Sequence, residues 1–268
     1  MDNRTPRIED IHGLALDPRE VAALAEPIRR FYLSLPPMLS AAEIEQVNRG
    51  TKVLGGDYVY RGLAFAVPHG VLVPGGTSEV IFDALHDGLV ETQGASVVVM
   101  GCGAGVEPVL ARQRGAREIH AMDIHEASVA SSLASFERHT GPRDPERHHF
   151  LVSDLFSALP PGRRADVILF NPPANPLRSD DPDLTRVNFS GSAIMVSFFD
   201  EIASRELLAP GGRVITVLSN ASNLQGITAH ALRRGFEPEL LRRRTWPAPY
   251  DKILTHLLSF TLRRELDR

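Results

Sequence analysis

The residues best suited to chemistry lie in three short stretches. In the first, the apolar run Val167-Ile168-Leu169-Phe170 ends in Asn171-Pro172-Pro173-Ala174. The run reads as a buried strand. It stops where the chain can continue neither helix nor ladder, because proline lacks an N–H and fixes φ. The rigid loop that results offers two acceptors at fixed positions, the Asn171 side-chain oxygen and the Pro172 carbonyl. An amino or planar nitrogen donating to both would have its lone pair aimed in one direction. Holding two reacting atoms in line can supply several kcal/mol, ~7 or more in good cases.

In the second stretch, VVVMGCGAGVEPVLA reads as strand, glycine loop and helix, with Gly101, Gly103 and Gly105 in the loop. Glycine allows a sharp turn and close approach of a ligand to the main chain. The helix N-terminus that follows presents unpaired N–H groups. Asp123 lies 22 residues beyond Gly101, at the end of the next strand, where an acid can accept hydrogen bonds from a ribose. Ile124 follows it. In the third stretch, Ser153-Asp154-Leu155 closes a third strand; Asp154 is placed to accept from an adenine amino group, with Leu155 against the ring. A helix cap is the plainer reading of Ser153 and Asp154.

These stretches are positioned by strands Ser96–Met100, Glu118–Asp123, His149–Val152, Ala165–Phe170 and Arg213–Leu218. Helices over Glu107–Arg114, Glu126–Arg138, Ser192–Leu208 and Leu224–Arg234 accompany them. Such alternation implies a parallel sheet with helices on both faces. The continuous apolar strands fit burial on both sides. PELLRRRTW and ILTHLLSFTL have no helix between them and predict an antiparallel C-terminal pair. Before the alternation starts, periodicity predicts a helix from Pro18 to Phe31, a short one over Ala41–Asn48, strands and turns over 52–73, and a helix over Ser78–Leu89. The domain division expected is a helical region at 1–50, a hairpin and approach segment at 51–75, and an α/β domain at 76–268.

The spacing G-x-G-x-G has Val106 where dinucleotide sites usually keep a small residue. With Asp123, it resembles the S-adenosylmethionine loop of class I methyltransferases, whose fold is Rossmann-like and whose product is S-adenosylhomocysteine. The resemblance implies that Gly101, Cys102, Gly103, Gly105, Asp123, Ile124, Asp154, Leu155, Asn171 and Thr77 bind the cofactor, the Cys102 thiol being a small packer. Asn-Pro-Pro after the fourth strand resembles N-methyltransferases acting on amino and amide nitrogens. Residues 53–79 are similar to the hairpin region of the methyltransferases that modify a glutamine amide in translation release factors. Gly56, Tyr60, Gly62-Leu63, Phe65, Val67, Gly70-Val71-Leu72-Val73-Pro74 and Glu79 match. Those proteins carry an aromatic at the place of Ala174, Arg-Pro at the place of Gly75-Gly76, and a longer helical region. Each departure is on the substrate side. The expectation is therefore N-methyl transfer with Asn171 and Pro172 catalytic, to a small molecule such as an amino acid or guanidine; protein-glutamine, RNA or DNA methylation and a non-catalytic cofactor-binding role are the alternatives. Pro173, Ala174, Tyr58, Asp180 and Asp181 are the substrate-side candidates, the two acids as partners for a cation.

The bulk properties exclude more than they assign. A net charge of −4 lacks the basic footprint of a nucleic-acid binder, so such a partner is not expected. No apolar run reaches the ~20 residues of a membrane span, and the polar start MDNRTPRIED is not a signal peptide. The single cysteine fits a reducing cytoplasm. His120, His125, His148 and His149 lack metal-ligand spacing, so no metal is expected. Trp246 and Tyr250, between the last two strands, are left unassigned.

Overall fold

The computed structural model describes residues 14–48, 54–176 and 191–263. The predicted N-terminal helix is two helices, α1 (Pro18–Ala23) and α2 (Glu26–Leu33). A continuous helix would drive the Pro27 ring into the carbonyl one turn earlier, and Leu24 is accordingly extended. Asp17 caps α1 in a capping box with Glu20. Helix α3 (Ala41–Asn48) follows.

Strands β1 (Leu54–Tyr60) and β2 (Leu63–Leu72) form an antiparallel hairpin. Arg61 and Gly62 at its turn both have positive φ, the pattern of a type I′ turn whose twist suits paired strands. The hairpin lies over helices α4 (Gly76–His86) and α6 (Glu126–Thr140). The Tyr60 hydroxyl donates to Asp83 at 2.8 Å, and the Ser131 hydroxyl donates to the Ala66 carbonyl at 2.6 Å.

The main sheet contains β3 (Ser96–Met100), β4 (Glu118–Asp123), β5 (His148–Val152), β6 (Ala165–Phe170), β7 (Leu208–Ser219), β8 (Phe236–Thr245) and β9 (Leu254–Leu262). Its order is β5-β4-β3-β6-β7-β9-β8, parallel through β7, with β9 antiparallel to both of its neighbours. The expected α/β fold with an antiparallel C-terminal pair is borne out. Helix α5 (Val106–Gln113) packs with α4 and α6, and α7 (Gly191–Ser204) packs with α8 (Leu224–Arg233). Burial of β6 shows why its run is unbroken. Val167 and Leu169 join one apolar cluster, while Ile168 and Phe170 join the other, as a period of two requires of a strand covered on both faces. Strand β7 starts earlier than predicted, at Leu208. Gly212 permits this, since a Cβ there would come within 2.8 Å of the Ala165 carbonyl.

Register gathers the three chemical stretches. Met100 pairs with Phe170 on one side and Met122 on the other, and Asp123 pairs with Val152. The residues just past these strands, Gly101, Asn171, Ile124 and Ser153, therefore emerge along one edge. Strand order reverses between β3 and β6, and ligands of open α/β sheets bind at such a switch point.

Candidate active site

Two adjoining cavities occupy that edge. The first, about 500 Å³, is lined by the glycine loop, Asp123, Ile124, Asp154 and Leu155. The second, about 330 Å³, is lined by Pro172, Ala174, Thr77, Trp246 and Tyr250. Leu72, Ser78, Asn171 and Pro173 line both, so the Asn-Pro-Pro turn stands where they meet.

The loop is shaped by backbone needs. Gly101, Gly103 and Gly105 all have positive φ. At Gly105 a Cβ would lie 2.8 Å from the Ser132 backbone on α6, so only glycine lets α5 start against that helix. Asp123 anchors the loop from the neighbouring strand. Its oxygens accept from the Gly103 amide at 3.0 Å and the His125 amide at 2.9 Å. A carboxylate has about four acceptor positions, so two remain, as the expected ribose role requires. Asp123→Ala is expected to weaken S-adenosylmethionine binding by about tenfold to a hundredfold, the worth of hydrogen bonds to a charged group. Calorimetric titration measures this, and an unchanged affinity would contradict the assignment. Leu155 has φ of +44°, unusual for a branched side chain. Its carbonyl accepts from the Ser153 hydroxyl at 2.6 Å, and Ser157 Oγ accepts from the Asp154 amide at 3.2 Å, which holds this turn at the cavity wall. Cys102 is buried and its thiol pKa is pushed up by burial, in keeping with a packing role.

At the junction, Asn171 Nδ2 donates to Ser78 Oγ at 2.8 Å. That bond fixes the amide plane and leaves Oδ1 as an acceptor. The Pro172 carbonyl is less free than the sequence suggests, because it accepts from the Ala174 amide at 2.8 Å. A carbonyl has two lone pairs, so one remains.

Several expected positions shift. Thr77 lines the second cavity rather than the first. Tyr58 lines neither; its ring packs at 6.4 Å from Phe65 and 6.3 Å from Phe82, beneath the hairpin. Asp180 and Asp181 lie outside the described residues. Gly76, where the resemblance has proline, faces Trp246 so closely that a Cβ would meet its ring. The departure at Gly75-Gly76 thus makes room for the indole, whose Nε1 donates to Thr255 at 3.0 Å and whose face carries the Arg244 guanidinium at 4.2 Å. Glu118, His120 and His149 bring ligand atoms within 4.8 Å of one another at the far end of β4. Arg163 already pairs with Glu118 at 2.9 Å, and its charge opposes a metal ion there.

The sequence reading missed Ser78 and Glu107. Ser78 directly precedes Glu79, a match to the resembled proteins, and that neighbourhood was the available signal. Glu107, in the first turn of α5, lines the first cavity and is buried. Acids are ordinary in a first helical turn, so sequence alone carried no signal for it.

The family model of the methyltransferase small domain matches residues 77–237, more than half of the chain. The chain belongs to that family. It is 27% identical over 149 residues to a ribosomal protein L11 methyltransferase of Methylococcus capsulatus, covering 56% of this chain and 42% of the relative. It is 29% identical over 119 residues to a release factor glutamine methyltransferase of Koribacter versatilis, covering 44% and 41%. It thus spans less than half the length of either relative. Among solved structures it resembles the T. thermophilus 16S rRNA N2 G1207 methyltransferase in complex with AdoMet and guanosine. That match has a TM-score of 0.55 at 21% identity and covers 78% of this chain and 50% of the other. The expected class I fold, S-adenosylmethionine as cofactor and methyltransferase class are borne out. The expectation of a small-molecule acceptor, with a nucleic-acid partner not expected on charge, is overturned: the relatives are named for ribosomal protein and release factor, and the structural neighbour for ribosomal RNA. Net charge was a poor guide because it averages the whole chain, whereas an acceptor meets one edge. No helix among the described residues is long and apolar enough to cross a membrane.

Proposed function

We propose that this domain transfers a methyl group to a planar amide nitrogen of a protein, of the kind a glutamine side chain presents in a translation factor. The observation that carries this reading is Asn171 at the junction of the two cavities, its Nδ2 held by Ser78 and its Oδ1 left to accept. Bound S-adenosylmethionine supplies an electrophilic methyl group. The chain's own residues bind and aim. Asp123, Asp154 and the glycine loop hold the nucleoside end. Asn171 Oδ1 and the Pro172 carbonyl each accept an N–H from the amide, so that its nitrogen faces the first cavity through the gap between them. Transfer would form the N–C bond as the S–C bond of the cofactor breaks, with S-adenosylhomocysteine as the leaving group and the amide proton passing to solvent; the two acceptors would favour the positive charge growing on the nitrogen more in the transition state than in the ground state. The second cavity receives the substrate chain, with Trp246 and Tyr250 as walls where Ala174 contributes little surface. Similarity over residues 53–79 to release-factor enzymes, and the Koribacter relative, support the same acceptor. An acceptor of that kind supports a cytoplasmic site of action.

Incubating the protein with isotope-labelled S-adenosylmethionine and, separately, release factors, ribosomal proteins and ribosomal RNA tests the reading. Label on a glutamine of a protein is the expected result. Label confined to RNA would overturn the amide acceptor, and label in none would overturn the catalytic reading.

A further inference from the structure

Glu107 is the feature of the cofactor cavity that nothing above uses. It is 7% exposed, yet it lines the cavity, and among the described residues no lysine or arginine pairs with it. Its carboxyl group takes a hydrogen bond from its own amide only. A buried carboxylate without a cation costs several kcal/mol in ordinary circumstances, so the protein either keeps the group neutral or supplies the cation from outside. The charge facing it is negative, that of Asp123 at the end of β4; the Cys102 thiol in the loop and the Tyr58 hydroxyl of β1, which itself lies beside Glu79 of α4, are neutral neighbours that offer no cation. Among the described residues no lysine or arginine lines the cavity, while Glu107, Asp123 and Asp154 all do. This is a site built for a ligand that brings positive charge.

Position narrows which charge. Asp154 and Leu155 close the cavity beside β5. Val71 and Phe82 line it from β2 and α4, and Glu107, in the first turn of α5, stands within electrostatic reach of Tyr58, which packs on Phe82, as well as of Asp123. A nucleoside held at Asp123 and Asp154 leaves the amino-acid part of the ligand for the Glu107 end. We propose that Glu107 binds the ammonium group of the methionine part of S-adenosylmethionine and serves as its buried counter-charge. Burial holds the free carboxyl group protonated to about pH 7. Binding the ammonium group favours the ionised form and so expels the proton.

The inference rests on the cofactor alone, so it stands or fails independently of the acceptor. The test is calorimetric titration of the wild type and Glu107→Gln with S-adenosylmethionine, S-adenosylhomocysteine and 5′-methylthioadenosine, which lacks the amino-acid part, at about pH 6 and about pH 8. Thermal melting checks that the variant folds. Wild-type affinity for the first two is expected to rise with pH. Glu107→Gln should weaken both by about tenfold to a hundredfold, abolish the pH dependence, and leave 5′-methylthioadenosine binding as it was. The proposal is overturned by unchanged affinity for the first two ligands, by equal loss for all three, or by loss confined to S-adenosylmethionine, which would place Glu107 on the sulfonium instead.

Discussion

Asn171→Ala is expected to lower the rate of methyl transfer by on the order of a thousandfold while S-adenosylmethionine affinity stays within about twofold. Orientation of two reactants can be worth about 7–11 kcal/mol, and one of two acceptors carries part of that. Cofactor affinity should survive, because Asp123, Asp154 and the glycine loop, the groups proposed to hold the cofactor, follow other strands. Ser78→Ala sharpens the test. Ser78 touches Asn171 Nδ2 and positions the amide without aiming the substrate itself. Its loss should cost about tenfold in kcat, less than the loss of Asn171, with little change in KM, and Ser78→Thr should restore most of it. Single-turnover kinetics with quenched-flow sampling separate these effects from product release. An Asn171→Ala protein that retains its rate would contradict the aiming role outright.

Glu107→Gln is expected to make the free protein more stable, and more so as pH rises. The sign follows from proton counting. The Glu107 pKa is raised in the folded chain from the usual 4.5 to about 7, chiefly by burial, with the Asp123 charge adding to it. Between these values the folded state holds more protons than the unfolded state, so stability falls with rising pH. Below about pH 4.5 the group costs nothing. Above about pH 7 the cost is complete, about 3 kcal/mol, because each tenfold change in proton affinity is worth about 1.4 kcal/mol. Glutamine keeps the shape and removes the titration. Urea unfolding of both proteins should give the same stability near pH 4.5 and a gap widening to about 3 kcal/mol by pH 8. A gap that is the same at every pH would mean that glutamine merely packs better. A cofactor-site residue that destabilises the free chain is the usual exchange of stability for function.

Much of this was legible in the sequence, for reasons tied to particular residues. The β3 to α5 turn is read correctly because three glycines with positive φ leave little else to form there. The strand carrying Asn171 is recognised because burial on both faces makes Val167 to Phe170 uniformly apolar. Helix α3 is found at its predicted bounds. The failures also have causes. The α1–α2 break depends on Pro27 breaking an otherwise good helical period. Ser78 and Asn171 are 93 residues apart in sequence, and only the sheet brings them together. Trp246 could not be ranked because its importance lies in the space that Gly76 leaves for it. Thr77 and Ser78 are neighbours in α4, yet only Ser78 reaches the first cavity, a difference of helical phase that sequence does not display.

The aiming of a nitrogen by Asn171 is tested most directly by finding the atom that carries the methyl group. The natural acceptor, labelled by the wild-type protein from deuterated S-adenosylmethionine, would be digested and the modified residue fragmented by tandem mass spectrometry. The label is predicted on a side-chain amide nitrogen. A methyl group on carbon or oxygen would contradict the account, since neither offers two N–H donors to Asn171 and Pro172.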